Sequence, residues 1–210
     1  MTKNKVKAIE YTIILLGEPS VGKTTFFNKF IFDKKKFNYI STISVDFETK
    51  TIEYNNKKYL ITLYDTAGQE RFKSITQAYY HLADGFFIMF DLTNEHSLNA
   101  IKNWIETVLF DNKNNIFLIL GNKDDLNNKI SDDDINEVLG NYKHLFIKTS
   151  AIHNINIDEA FAKLIDMIED ENNLANLEEK KSIKSNSFHL KRKKNKENNQ
   201  SNEDNDDKCC

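Results

Sequence analysis

Gly17, Gly22, Lys23 and Thr24 stand in the stretch GEPSVGKT, residues 17–24, at the spacing Gly-x4-Gly-Lys-Thr. Each residue type answers a need of polyphosphate binding. Glycines let the backbone curl around an anion, amides at a helix start attract it, a lysine neutralises its charge, and a threonine hydroxyl can hold Mg²⁺. The context fits: the apolar run IEYTIILLG ends at Gly17, and a Phe-rich helical stretch opens near Lys23. Pro19, the only proline of the chain, lies inside this loop and has no N–H to present.

Two further stretches carry chemistry. Asn122-Lys123-Asp124-Asp125 directly follows an apolar run ending at Gly121. An aspartate there can accept two hydrogen bonds, from the N1–H and the 2-amino group of guanine; adenine offers no such donor pair. DTAGQE, residues 65–70, also follows an apolar run. Asp65 could hold Mg²⁺ through water, Gly68 offers a backbone N–H to a γ-phosphate, and Gln69 could orient an attacking water. Three of the six glycines, Gly17, Gly22 and Gly68, thus fall at positions with a phosphate role.

Elements must bring these loops together. Residues 9–17 read as a buried strand and residues 23–32 as a helix. VDFETKTIEY and KKYLITLYD flank Asn55-Asn56 as two strands around a tight turn. Residues 72–82 read as a short helix and GFFIMFD as a strand. Leu98, Ile101, Trp104, Ile105 and Val108 fall at helical spacing and predict one helix over 94–110. NIFLILG (115–121) and HLFIKTS (144–150) read as strands, residues 131–140 as a helix, and Ile157, Phe161, Leu164, Ile165 and Ile168 as the apolar stripe of a last one. The alternation predicts an α/β fold, a mostly parallel sheet with helices on both faces. Ligands bind at the carboxyl ends of its strands, where all three chemical stretches lie.

The 210 residues fit one domain and a tail. A net charge of −3 gives no call for nucleic acid as a partner. The N-terminal stretch lacks the apolar segment of a signal peptide, and no early apolar run approaches membrane-spanning length, so a cytosolic chain is expected. Residues 180–210 are Lys, Asn, Ser, Glu and Asp with almost no apolar content, and read as a flexible tail. The two cysteines, Cys209 and Cys210, end it.

Taken in this order, the motifs resemble those of the Ras superfamily of small GTPases, and within it the Rab family. The likeness covers about residues 10–170 and the extreme C-terminus. YISTISVDF (39–47) is similar to the first switch, LYDTAGQERF (63–72) with YYHLADG (79–85) to the second, and TSA (149–151) to the last guanine loop. The resemblance implies a P-loop GTPase fold with a six-stranded sheet, a G domain over residues 1–172 and a tail over 173–210. It implies a GTP/GDP switch of vesicle trafficking that hydrolyses GTP slowly with Mg²⁺. Phosphates would be held by Gly17, Ser20, Val21, Gly22, Lys23, Thr24, Thr25 and Gly68. Mg²⁺ would be held by Thr24, Thr42 and Asp65, and guanine by Asn122, Lys123, Asp125, Ser150 and Ala151. Gln69 and Lys23 would serve catalysis. Phe47, Tyr64 and Tyr79 would form the aromatic patch read by effectors.

Cys209 and Cys210 resemble the double-cysteine ending that receives geranylgeranyl groups. This implies a prenyltransferase, a lipid-masking chaperone, an exchange factor and a GTPase-activating protein as partners. The chain would cycle between cytosol and the cytoplasmic face of an intracellular membrane. The departures from the family are Ser44 where Gly is usual, Tyr64 where Trp is usual, and Lys35 and Ile152 where base-packing residues are usual. In the family's loop the amides from the fourth residue onward close on the β-phosphate. Pro19 is the third, so its missing N–H need not weaken binding, although its ring stands beside the γ-phosphate. Two other readings stay open on the residues alone: a nucleotide-dependent scaffold with little useful hydrolysis, and an ATP-dependent phosphotransferase, against which Asp125 argues.

Overall fold

Strand β1 (Ile9–Gly17) is hydrophobic on both faces, and Ile13 to Leu16 are fully buried. Such a strand must be central, and a sheet covered on both faces supplies that place. The computed structural model describes residues 7–32, 45–66, 79–111 and 115–177. The chain divides into two units, Met1–Ile168 and Glu169–Cys210. In the first, β1 leads to α1 (Lys23–Phe32), then to the hairpin β2 (Val45–Tyr54) and β3 (Lys57–Thr66). β4 (Gly85–Asp91), α2 (Glu95–Asn99), α3 (Ile101–Asp111), β5 (Phe117–Asn122), α4 (Asp132–Leu139) and β6 (Phe146–Lys148) follow. Residues 157–168 form α5. Of the second unit, residues 169–177 are described and helical. No helix among the described residues is long and apolar enough to cross a membrane.

The six strands lie in the order β2-β3-β1-β4-β5-β6. Only the β2–β3 pair is antiparallel. Asn55 and Asn56 turn that hairpin with φ of 48° and 59°, values asparagine tolerates better than most residues. The sheet is mostly parallel, as the alternation of elements predicts. The period-2 pleat splits each central strand between two cores. Ile13, Leu15, Phe87, Met89 and Leu118 pack beneath α1 and α5, with Phe26, Phe30, Phe161 and Leu164. Ile14, Leu16, Ile88, Phe90 and Ile119 pack beneath α2, α3 and α4, with Leu98, Trp104, Ile105 and Ile135. Helices therefore cover both faces, and the carboxyl ends of β1, β3, β4, β5 and β6 share one edge of the sheet.

Three boundaries differ from the sequence reading. The helix expected over 94–110 is interrupted at Ala100 (φ −73°, ψ −14°). Asn94 caps α2, and the buried Ser97 hydroxyl donates to Asn94 O while accepting from Asp91 N, which tethers that turn to the end of β4. The apolar stripe still runs unbroken through both pieces. The strand expected over 144–150 pairs only at Phe146–Lys148, because Gly140–Leu145 coil as a 3₁₀ turn in which Tyr142 packs on Phe117. β5 begins at Phe117 rather than residue 115. The helix read at 72–82 lies mostly outside the described residues.

Candidate functional site

Four loops meet at the carboxyl edge of the sheet, and glycine opens the first. Gly17 ends β1 at φ +136°, and a Cβ there would stand 2.1 Å from Met89 O on the neighbouring strand. Gly22 has φ +101°, and its Cβ would stand 2.3 Å from Asn122 Nδ2. Between them Ser20 takes φ 64°, rare for a residue with a side chain. The chain thus curls into a cradle that bulkier residues would fill. Phe26 N–H donates to Gly22 O, so α1 starts at once and sets its first turn against the cradle.

Lys23 crosses the loop. Its Nζ donates to Gly17 O and Glu18 O, both at 2.8 Å, and the residue is only 5% exposed. Burial pushes its ammonium down to about 8, against the opposing pull of the Asp65 and Glu18 carboxylates. A polyanion in the cradle would resupply the charge that burial takes from the lysine's surroundings. Thr24 Oγ1 donates to Asp65 Oδ2 at 2.6 Å. A hydroxyl and a carboxylate from two different elements are hard oxygen donors, the set that Mg²⁺ takes alongside water and phosphate. No group of three or more His, Cys, Asp or Glu that could hold a metal gathers among the described residues. A divalent ion here would take oxygen ligands from Thr24 and Asp65, with phosphate and water among the rest. Val21 is buried, and Thr25 follows half-buried in the first turn of α1. Thr42, Gly68 and Gln69 lie outside the described residues, as do Lys35, Ser44, Cys209 and Cys210.

The second loop, after β5, is built around a buried amide. Asn122 is 2% exposed. Its Nδ2 donates to Val21 O at 2.8 Å, and its Oδ1 accepts from Ala151 N at 3.1 Å and Thr149 Oγ1 at 3.4 Å. One side chain thus ties the glycine cradle, its own loop and the TSA loop. Lys123 adopts φ 68° and reaches across to β4, where Nζ pairs with Asp91 Oδ2 at 2.7 Å. Thr93 N and Oγ1 both donate to Asp91 Oδ1. Burial alone would raise the Asp91 carboxyl, but the Lys123 ammonium and the Thr93 donors outweigh it and hold the group below the usual carboxylate range. Asp125 is half-buried, and Ser150 Oγ donates to its Oδ1 at 2.5 Å. Ser150 is itself fixed, accepting from His153 N and bridging to Ile155 through its backbone. Ser150 thus fixes the direction in which the Asp125 carboxylate faces. Ile152 stands beside this loop, 57% exposed.

Phe47 on β2, Tyr64 on β3 and Tyr79 form a continuous aromatic surface. Phe47 stacks on Tyr64 with centroids 5.2 Å apart, and Tyr64 meets Tyr79 at 5.6 Å. Phe47 is 56% exposed, so the cluster is accessible from its outer edge.

Two anchors escape a reading of local spacing. Asp91 holds Lys123, and Trp104 Nε1 donates to Glu18 Oε1 at 3.0 Å. Asp91 ends a strand in register with Asn122, a placement that only the sheet order supplies. Trp104 and Glu18 are 86 residues apart and gave none.

The comparisons agree with this geometry. The Ras family model matches residues 12–170, well over half of the chain. The chain is 38% identical to Ras-related protein Rab-3A of Homo sapiens over 163 residues, 75% of this chain and 73% of that protein. It is 37% identical to GTP-binding protein Rab-3D of Rattus norvegicus over 168 residues, 78% of this chain and 76% of that one. It is likewise 37% identical to Ras-related protein Rab-3C of Bos taurus, over 75% of this chain and 71% of that protein. A family match over most of the chain and relatives at 37–38% identity lead to one conclusion: the chain belongs to the Ras family of small GTPases and, within it, to the Rab group.

Proposed function

We propose that the chain is a GTP/GDP switch of vesicle trafficking, anchored by its C-terminus to the cytoplasmic face of an intracellular membrane and cycling with the cytosol. The observation that carries this reading is the Asn122 side chain, which joins the phosphate cradle to the Asp125 and Ser150 loops. A ligand that fills both must carry phosphates at one end and a base with two adjacent donors at the other, which describes GTP and GDP. Membership of the Rab group supports the trafficking role, and the double cysteine supports the anchor.

In this reading the backbone of residues 20–25 binds the phosphates, and Lys23 stabilises charge on the transferring phosphoryl group. Thr24 and Asp65, joined by Thr42, hold Mg²⁺. When bound, that ion neutralises charge on the β- and γ-oxygens. Gln69 orients the attacking water, and the Gly68 amide senses the γ-phosphate. Thr42 and Gly68 are released on hydrolysis, so both switch segments lose their shared partner. The Phe47–Tyr64–Tyr79 surface binds effectors only while the switches are ordered. An exchange factor and a GTPase-activating protein set the timing. A prenyltransferase modifies Cys209 and Cys210, and a chaperone masks the lipids. Residues 1–172 form the G domain and 173–210 the tail. Two lipids anchor stably where one is marginal.

Single-turnover hydrolysis tests the reading. Wild-type protein loaded with GTP and Mg²⁺ is expected to turn over slowly, on the order of 10⁻⁴ to 10⁻² s⁻¹. Gln69→Leu is expected to lower that rate by at least about 10-fold. Tight GTP binding with no hydrolysis in either protein would instead establish the scaffold reading that Pro19 motivates.

Asp91→Asn is expected to speed GDP release about 10-fold, because Lys123 loses the charge that holds its stem beside the base. The sign with pH follows from the lowered carboxyl. The contribution of Asp91 is complete above its ordinary value of 3.8 and is lost only as pH falls through its lower folded value. Wild-type release should therefore show no step from this pair between about pH 5 and 8. A release rate unchanged in the variant removes Asp91 from nucleotide retention.

A further inference from the structure

Glu18 is held at both ends. Its carbonyl accepts from Lys23 Nζ at 2.8 Å, and its carboxylate accepts from Trp104 Nε1 at 3.0 Å. Trp104 is the only tryptophan of the chain and is 4% exposed in the core beneath α3. The backbone around Glu18 is nearly predetermined. Gly17 before it stands at φ +136°, Pro19 after it has a locked φ and pushes Glu18 toward an extended conformation, and Ser20 stands at φ 64°. A carboxylate beside a phosphate cradle repels the ligand, so its presence there calls for a compensating use. The indole supplies that use: it fixes the wall of the loop whose carbonyl sets where the Lys23 ammonium stands.

We infer that Trp104 and Glu18 are a positioning pair for the phosphate loop, through which α3 controls how tightly Lys23 and the loop amides hold the nucleotide's phosphates. The pair would act through the loop and Lys23 rather than by contact with the nucleotide. The inference rests on the reading that this loop binds guanine nucleotide. Because the chain has a single tryptophan, the pair also makes Trp104 emission a direct reporter of the loop.

The test uses the purified full chain with Trp104→Phe, Glu18→Ala and both together. Trp104→Phe keeps an aromatic ring in the core while deleting the donor and part of the buried indole. Release of fluorescently labelled GDP is measured in these three variants, in Glu18→Gln and in wild type, and tryptophan emission in the three proteins that retain Trp104, each loaded with GDP or a non-hydrolysable GTP analogue. Each single variant should release GDP about 10-fold faster, and the double variant no faster than either, since one hydrogen bond is removed in all three. Wild-type emission should differ between the two nucleotides, and Glu18→Ala should abolish that difference. Glu18→Gln, which keeps an acceptor for the indole, should restore slow release. Release within twofold of wild type in both single variants overturns the inference, and so does an additive double variant, which would mean two unrelated perturbations. Failure of the wild type to bind labelled GDP at all would instead overturn the nucleotide reading on which the inference rests.

Discussion

Asp125→Asn is expected to weaken binding of GDP and GTP by about 10³-fold and to strengthen binding of xanthosine nucleotides. The Asp125 carboxylate is oriented by the Ser150 hydroxyl at 2.5 Å, and Ser150 is pinned in turn by His153 N and Ile155. Its direction is set before any ligand arrives. Two hydrogen bonds to a charged acceptor, each about 1.5–3 kcal/mol, sum to about 4 kcal/mol, which is about 10³ in affinity. In the asparagine variant an NH₂ group faces the guanine 2-amino group, donor against donor. Xanthine carries a carbonyl at that position, so the mismatch becomes a hydrogen bond. Competition of GDP and xanthosine diphosphate against labelled GDP, in wild type and variant, measures the reversal. An unchanged preference for guanine would mean that the base is read elsewhere.

Gly17→Ala is expected to cost about 3 kcal/mol or more of folding stability, or about 10 °C in Tm, and with it nucleotide binding. Two effects combine. The backbone at φ +136° is one that a Cβ disfavours strongly, and the new methyl would stand 2.1 Å from Met89 O, a backbone atom at the carboxyl end of the β1–β4 ladder. Neither strand can yield, because both are buried on both faces. Gly140→Ala is the matched control. That glycine also has positive φ, at 50°, but nothing lies within 4 Å of its added Cβ, so only the smaller backbone cost applies. Thermal unfolding of the two variants separates strain from collision. Equal shifts would show that the contact with Met89 is relieved at no cost.

The sequence was most legible where one residue type has one use. Gly17, Gly22 and Lys23 announce the cradle because few other needs place them at that spacing. Asn55-Asn56 announces the hairpin because its two apolar flanks require a tight turn. Strand and helix types followed from the periodicity of apolar residues, which burial enforces over each whole element. Boundaries were less legible, since Ala100 is a good helix former and only the tether of Ser97 to β4 shows why the helix is interrupted there. The 3₁₀ turn at Gly140–Leu145 took residues that the apolar pattern assigned to β6. Within the candidate site, the residue types that the motifs named at Lys23, Thr24, Asp65, Asn122, Asp125 and Ser150 do come together, but the anchors behind them were not readable. Lys123–Asp91 and Trp104–Glu18 join residues 32 and 86 positions apart, and only the sheet order brings them together. The same holds for Asn122. Its type suggested a base contact, whereas its packing commits the amide to Val21, Thr149 and Ala151.

That commitment of Asn122 has a thermodynamic consequence. Loops that share one buried amide cannot be ordered separately, so ordering by a ligand at one end lowers the entropic cost of binding at the other. The two halves of a nucleotide are then linked reciprocally: guanosine should raise the affinity for pyrophosphate by the same factor that pyrophosphate raises the affinity for guanosine. It follows that a regulator need not reach the base to eject it. Prying open the phosphate end alone would lower the barrier for the whole molecule to leave.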